Sequence, residues 1–271
     1  MEWPKLKNIV LVILTVTNLC LLVLAARQTM ENDRLQRQAR QDAIQFLAER
    51  AVTVAEDQVP DEMTLLPQQV ERDLETEGTL AAQLLGTGVQ VEKRGGEVYR
   101  YFNDQGSIQF HSDGAFQAEF PAGAFPAGDD RKRTCLDLLA KLDYEGELLE
   151  EGENTLTFRQ LWQGAPLFTQ QVTLKIEEDS ITAMTAGRRL VGQPTQDLSR
   201  SVVTVSTALF QLFNGINALG DVCSSIDTIT QGYVSTASLS GPVTLTPVWR
   251  VTTDTSAYQL DLVTGTLTRA P

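Results

Sequence analysis

The most regular pattern in the chain is an apolar run from Ile9 to Ala26. It holds eighteen residues without a charge, a proline or a glycine. As a helix it would measure about 27 Å, close to the roughly 30 Å of hydrocarbon in a bilayer. The run lacks the polar face of a soluble amphipathic helix, which argues against a buried core helix. The pattern therefore predicts a cytoplasmic tip and transmembrane anchor over residues 1–27.

Two processed forms of this segment are alternatives. Val23-Leu24-Ala25 resembles the cleavage site of a signal peptide, although the apolar region of a signal peptide is usually shorter. A lipoprotein signal needs a small residue before the modified cysteine, whereas Leu19 precedes Cys20. We favour an uncleaved anchor, and cleavage stays open.

The charges that flank the span give conflicting predictions of its orientation. Lys5 and Lys7 favour a cytoplasmic N-terminus, whereas Arg27 and the arginines after it oppose export. Long domains are translocated largely regardless of charge, so this count does not forbid an extracytoplasmic body.

The predicted transmembrane helix continues into a stalk helix over residues 28–59. No glycine or proline occurs from Gln28 to Val59, and apolar residues recur at steps of three and four. The pattern becomes more apolar from Ala43, where we expect the stalk to dock on the folded body. A short coiled coil is the alternative, but the repeat covers few heptads.

The rest of the chain repeats one pattern, a helix followed by antiparallel strands. Helices are predicted over 67–85, 131–141 and 199–219, and turn residues such as Gly95-Gly96 separate the strands. The predicted class is α+β, with an N-terminal transmembrane helix, a stalk helix and three modules over residues 60–128, 129–191 and 192–271. The predicted strands are 89–92, 98–102, 107–111, 116–120, 146–151, 155–162, 167–177, 180–190, 226–233, 245–252, 258–262 and 266–268.

The charge of the chain excludes one class of partner. The net charge is −13, and residues 1–28 carry +2 from Lys5, Lys7 and Arg27 against Glu2, which leaves −15 on the remainder. Such a body repels nucleic acid, so we expect no nucleic-acid partner.

No residue pattern indicates catalysis. His111 is the single histidine and stands beside Ser112 and Asp113, whereas a catalytic triad requires side chains that converge from separate positions. The acidic runs at 129–130 and 177–179 lack EF-hand spacing, and Gly86-Thr87-Gly88 lacks the third glycine of a dinucleotide site. We predict no enzyme activity, no cofactor and no metal. Cys135 and Cys223 are interpreted as isolated thiols, with a disulfide as the alternative.

One polar residue lies within the predicted span. A carboxamide in hydrocarbon is costly unless it has a hydrogen-bond partner, which a neighbouring helix can supply. We hypothesise that Asn18 belongs to a face that packs on a partner's transmembrane helix. Bonding of Asn18 back to the Leu14 carbonyl is the alternative. By helical spacing the face comprises Leu11, Leu14, Thr15, Asn18, Leu22 and Ala25.

Both ends of the chain carry a distinctive set of residues. At the N-terminus these are Glu2, Trp3, Lys5, Lys7 and Asn18. At the C-terminus they are Tyr233, Pro247-Val248-Trp249-Arg250-Val251, Tyr258 and Thr264-Gly265-Thr266, a hairpin pattern that is similar to PepSY-type modules. Together the two sets resemble the YycI family.

The resemblance implies a fold and a function. YycI proteins are regulators paired with YycH and associated with the WalK/WalR (YycG/YycF) two-component system, so the implied partners are a sensor histidine kinase and a YycH-like protein. The implied role is control of kinase output in cell-wall homeostasis by a single-pass membrane protein with a cytoplasmic N-terminus and an extracytoplasmic body of PepSY-like modules. The alternatives are a tethered PepSY-like binding or inhibitory module and a coiled-coil scaffold of the division type. Trp249 could form a ligand platform, but core packing beside Arg250 is the favoured interpretation. The sequence leaves the oligomeric state open.

Overall fold

The computed structural model describes residues 3–71, 74–190, 192–236 and 242–270. It is an α+β structure with a long N-terminal helix and a large, mostly antiparallel sheet, which confirms the predicted fold class. Glu2 lies outside the described residues, as do the side chains of Trp3, Lys5 and Lys7.

The anchor and the stalk form one continuous helix, α1, from Trp3 to Glu49. It ends ten residues before the stalk boundary expected at Val59, because Ala51 adopts a left-handed φ of 61°. The chain then enters a short strand, β1 (Thr53–Val54), and a 3-10 turn, Glu56–Gln58.

The next segment contains one helix and five strands. Helix α2 begins at Leu74 rather than Pro67, because Gln68–Val70 is a strand that pairs with two later strands. This strand pairing thus overrides the helix preference of the local sequence. The strands of this segment are β2 (Gln68–Val70), β3 (Gln90–Lys93), β4 (Tyr99–Asn103), β5 (Gly106–Phe110) and β6 (Ala115–Glu119).

The middle of the chain follows the predicted order of one helix and four strands. Helix α3 spans Arg131–Ala140, and the Asp130 carboxylate caps it by accepting from the Arg133 backbone N–H at 3.0 Å. The strands are β7 (Gly146–Glu151), β8 (Thr155–Trp162), β9 (Ala165–Glu177) and β10 (Ser180–Arg188).

The C-terminal part contains one helix and five strands. Helix α4 spans Val205–Ala218, shorter than the predicted 199–219, and Thr204 caps its N-terminus. The strands are β11 (Pro194–Gln196), β12 (Ser225–Thr236), β13 (Val243–Thr253), β14 (Ala257–Asp261) and β15 (Leu267–Arg269).

Strand β9 joins the two halves of the sheet. Its first residues pair in parallel with β12, at Leu167 and Tyr233, while Thr173–Glu177 pair with β10 on the same edge. The strand order is β11-β2-β13-β12-β9-β10-β6-β5-β4-β3, with β8 and β7 added on the other edge of β9, and with β14 and β15 branching from β13.

Helices cover one face of each half. Helices α2 and α3 pack with β4–β10 around a core that includes Ile108, Phe158 and Leu174. Strands of the first two predicted modules therefore share one sheet and one core, and the module boundaries remain a prediction. Helix α4 and the end of α1 pack on β12–β15 around Trp249 in a second core.

Candidate functional site

The first half of α1 is long and apolar enough to cross a membrane. By length and composition it is the one such helix in the described part of the chain, and its apolar window has no buried residue. The predicted partner-binding face is exposed along its whole length, with Leu22 at 68% exposure. Its role in partner binding remains a prediction. The face consists of Leu11, Leu14, Thr15, Asn18, Leu22 and Ala25.

The two polar residues of this face differ in their hydrogen bonding. The Thr15 hydroxyl donates to the Leu11 carbonyl at 2.8 Å, which satisfies it within the helix. Within the described ranges the Asn18 carboxamide has no hydrogen-bond partner, and the Leu14 carbonyl does not accept from it. An apolar environment would leave this carboxamide open to a partner's polar group.

The second half of α1 is docked on the folded body. Ala43 and Leu47 lie in the core around Trp249, with Leu47 only 1% exposed. Phe46 makes edge-to-face contacts with Phe210 and Phe213 of α4, at centroid distances of 4.7 and 5.7 Å. The stalk is therefore fixed by apolar contacts on one face.

Arg40 fixes the stalk to the chain segment that follows it. Its guanidinium donates to the backbone carbonyls of Glu56, Val59 and Pro60 at 2.6, 2.8 and 3.1 Å. It also lies 3.3 Å from the Glu56 carboxylate and 3.5 Å from that of Asp61. Arg40 is buried, so these bonds replace its lost hydration.

A groove opens on the sheet face that the helices leave uncovered. It lies where the ends of β12 and β10 approach each other along β9, and its volume is about 860 Å³. Three arginines, Arg159, Arg188 and Arg250, line it, and none of its lining residues is acidic. Six strands and the loop between β5 and β6 supply these residues, so no local sequence pattern indicated the groove.

Comparison with known proteins identifies the family. The family model described as YycI protein matches residues 38–263, which is most of the chain. The chain belongs to the YycI family. The match confirms the sequence resemblance, and it covers the docked half of α1 and the body but not the anchor.

Two solved structures are similar to this YycI-family chain at low identity. One is an uncharacterized protein from Eubacterium rectale, with 13% identity, a TM-score of 0.41, and coverage of 76% of this chain and 86% of that chain. The other is the C-terminal domain of Bacillus megaterium YpeB, with 14% identity, a TM-score of 0.39, and coverage of 74% and 99%. No curated protein matches the sequence.

Most of the C-terminal residues that resemble the YycI family pack inside the body. Trp249 and Tyr258 are fully buried, and the Tyr258 hydroxyl donates to the Asp221 carboxylate at 3.0 Å. Arg269 binds the same carboxylate at 2.7 Å, and its hydrogen bonds hold the pKa of Asp221 below its usual value. Trp249 thus lies in the core, where no ligand platform is available.

The remaining motif residues fix the backbone of the hairpin. Tyr233 is buried opposite Pro247 in the β12–β13 register, and its hydroxyl donates to the Leu66 carbonyl at 3.1 Å. Gly265 adopts a left-handed φ of 72°, and a Cβ there would collide with the Gln211 side chain. Arg250 is the motif residue that lines the groove.

The other sequence candidates are not brought together. His111 is half-buried and lies 2.9 Å from the Gln109 amide. In the part of the chain that the structure describes, no cluster of three His, Cys, Asp or Glu side chains could hold a metal ion. Cys135 and Cys223 are free thiols in different cores, and burial raises the pKa of Cys135 to about 11.

Proposed function

We propose that this YycI-family chain is a non-enzymatic regulator that is anchored by its N-terminal helix and modulates a sensor histidine kinase of a two-component system in cell-wall homeostasis. Its N-terminus lies in the cytoplasm and its body lies outside the cell membrane. A YycH-like protein is its second partner. Family membership and the apolar helix support this assignment.

The observation that carries the mechanism is the continuity of α1. The helix runs from Trp3 to Glu49 and would measure about 70 Å at 1.5 Å per residue. Its last turns are buried in the core of the body. A rotation or tilt of the body therefore reaches the membrane half of α1 without passing through a flexible joint.

The membrane half would transmit this motion to the kinase. We assign the contact to the face around Asn18, whose carboxamide would bond to a polar group of the kinase's spanning helices. Regulation requires that this contact differ between the two states of the kinase. A coupling free energy of about 1–3 kcal/mol is sufficient for such control.

The test is crosslinking from a photoreactive residue at position 18 in the native membrane, with mass spectrometry of the captured species. Capture of a sensor kinase or of a second single-span protein is the expected result. Capture of lipid alone would contradict intramembrane regulation. A photoreactive residue at Cys20, which lies about 200° around the helix from Asn18, serves as the control position.

Anchor exchange separates this function from the tethered-module alternative. Residues Ile9–Ala26 are replaced by an unrelated transmembrane helix of equal length, and kinase-dependent reporter output is measured in cells. Helix-mediated control predicts loss of regulation with normal membrane insertion. Full retention of regulation would assign the function to the body alone.

A further inference from the structure

The groove results from the way in which two strands share one edge of β9. Strand β12 runs parallel to β9 and places Ser235 beside Thr169. The hydroxyl oxygens of these two residues lie 2.7 Å apart. Strand β10 comes from the opposite direction, pairs with Thr173–Glu177, and then leaves β9. The two strand ends therefore leave an opening above Thr169 and Gln171.

An aromatic ring flanked by two arginines forms one wall. The Cζ atoms of Arg159 and Arg250 lie 5.2 and 4.7 Å from the centroid of the Phe168 ring. The ring extends over β12 because Gly232 has no side chain, and a Cβ there would lie 2.6 Å from Phe168 Cε2. Guanidinium groups held against an aromatic face keep their N–H edges available for carboxylates.

The described acidic residues neutralise only two of the three arginines that line the groove. Arg159 forms a 3.1 Å ion pair with Glu147, and Arg188 forms a 3.3 Å pair with Asp113. Arg250 has no ion pair within the described ranges, and its buried Nε has no acceptor. Burial and the neighbouring charge of Arg159 lower the pKa of Arg250.

We infer that the groove binds an extended, acidic peptide segment of a partner protein, with a carboxylate of that segment on Arg250 and Arg159. The amides of Gln117 and Gln171 line the same groove and can both donate to and accept from a peptide backbone. The volume of about 860 Å³ suits a peptide better than a single small anion. The inference concerns the body and does not depend on the action of the membrane helix.

The experiment measures peptide binding to the full chain in nanodiscs of zwitterionic lipid. The probes are a fluorescent peptide of alternating Ala and Glu, a matched peptide with Gln in place of Glu, and a glycerol phosphate oligomer. Fluorescence anisotropy gives the Kd of the two peptides, and competition gives that of the oligomer. The variants are Arg250→Gln, Arg250→Lys and, as a control that removes an exposed charge outside the groove, Arg133→Gln.

The inference predicts saturable binding of the Glu peptide, and at least about tenfold weaker binding of the Gln peptide. Arg250→Gln should raise the Kd of the Glu peptide about tenfold or more, Arg250→Lys should raise it less, and Arg133→Gln should leave it unchanged. Absence of binding, or equal losses in Arg250→Gln and Arg133→Gln, would overturn the inference. So would binding of the phosphate oligomer in preference to the Glu peptide, which would indicate an anionic polymer as the ligand. Circular dichroism of Arg250→Gln confirms that the variant is folded.

Discussion

The two halves of α1 form one helix with opposite surroundings. From Val10 to Leu35 the large apolar side chains described are exposed, whereas Ala43 and Leu47 are buried against α4 and the β12–β15 strands. Substitutions in the docked half, around Ala43 and Leu47, should therefore change the stability of the body. Substitutions in the bare half, from Val10 to Leu35, should instead change the interactions of the protein with its partners. This difference gives each half a measurable role.

The largest effect on stability is expected at the centre of the docked half. Leu47→Ala removes a side chain that is 1% exposed and leaves a cavity in the core, which should lower the free energy of unfolding by about 2–5 kcal/mol. Urea unfolding of the full chain in detergent, followed by near-ultraviolet circular dichroism, measures it. Leu35→Ala, at a 62% exposed position of the same helix, is the control and should change stability by less than about 0.5 kcal/mol. Equal effects of the two substitutions would contradict the docked position of Leu47.

A smaller loss of stability is expected at Arg40, where polar contacts hold α1 to the segment that follows it. Arg40→Gln removes the charged donors to the carbonyls of Glu56, Val59 and Pro60, which should cost about 1.5–3 kcal/mol. Arg37→Gln, which removes one exposed bond to the Asp33 carbonyl, should cost less than about 0.5 kcal/mol. The same unfolding measurement compares them, and similar losses would show that Arg40 does not fix the turn after α1.

Contacts between the stalk and α4 should be measurable as a coupling energy. A double-mutant cycle of Phe46→Leu and Phe210→Leu is expected to give a coupling of about 0.5–1.5 kcal/mol, because the two rings meet edge to face at 4.7 Å. Phe46→Leu combined with Phe168→Leu, at the groove, should be additive within about 0.5 kcal/mol. Additivity of both pairs would mean that the ring contact adds nothing beyond burial.

The smallest effect on stability is expected in the bare half. Asn18→Leu should change the free energy of unfolding by less than about 0.5 kcal/mol, since no described residue bonds to the carboxamide. The same variant should reduce co-purification of the kinase and change reporter output. Asn18→Leu combined with Cys20→Asn returns the carboxamide at similar depth on another face and should not restore either signal. Unchanged co-purification in Asn18→Leu would remove the proposed role of this face.

Local patterns predicted most of the secondary structure. Strands β7 and β8 have the predicted bounds, Gly146–Glu151 and Thr155–Trp162, because period-two alternation and adjacent turns define them. The strand Gln68–Val70 was predicted as the start of a helix, and only its pairing with β13 and β11 makes it extended. The end of α1 was placed at Val59, and the left-handed Ala51 left no signal in the sequence.

The candidate sites were predictable to different degrees. The apolar run of α1 is contiguous in sequence, and the residues that resemble the family lie within short stretches at each end, so both were visible without a structure. Core packing was the favoured interpretation of Trp249, which is buried, whereas nothing in the sequence indicated that Arg250 on the next strand position faces a groove. Arg159 and Arg250 are distant in sequence, and only the sheet order brings them to one Phe168 ring.

The docking of α1 also has a consequence for the biogenesis of the protein. The helix is synthesised before the rest of the body, yet the surface that buries Ala43 and Leu47 includes α4 and strands that continue to Leu267. The stalk therefore cannot complete its core until β15 has been synthesised. During this interval the side chains of Phe46 and Leu47 lack the neighbours that cover them in the folded body, so the undocked stalk presents an apolar surface.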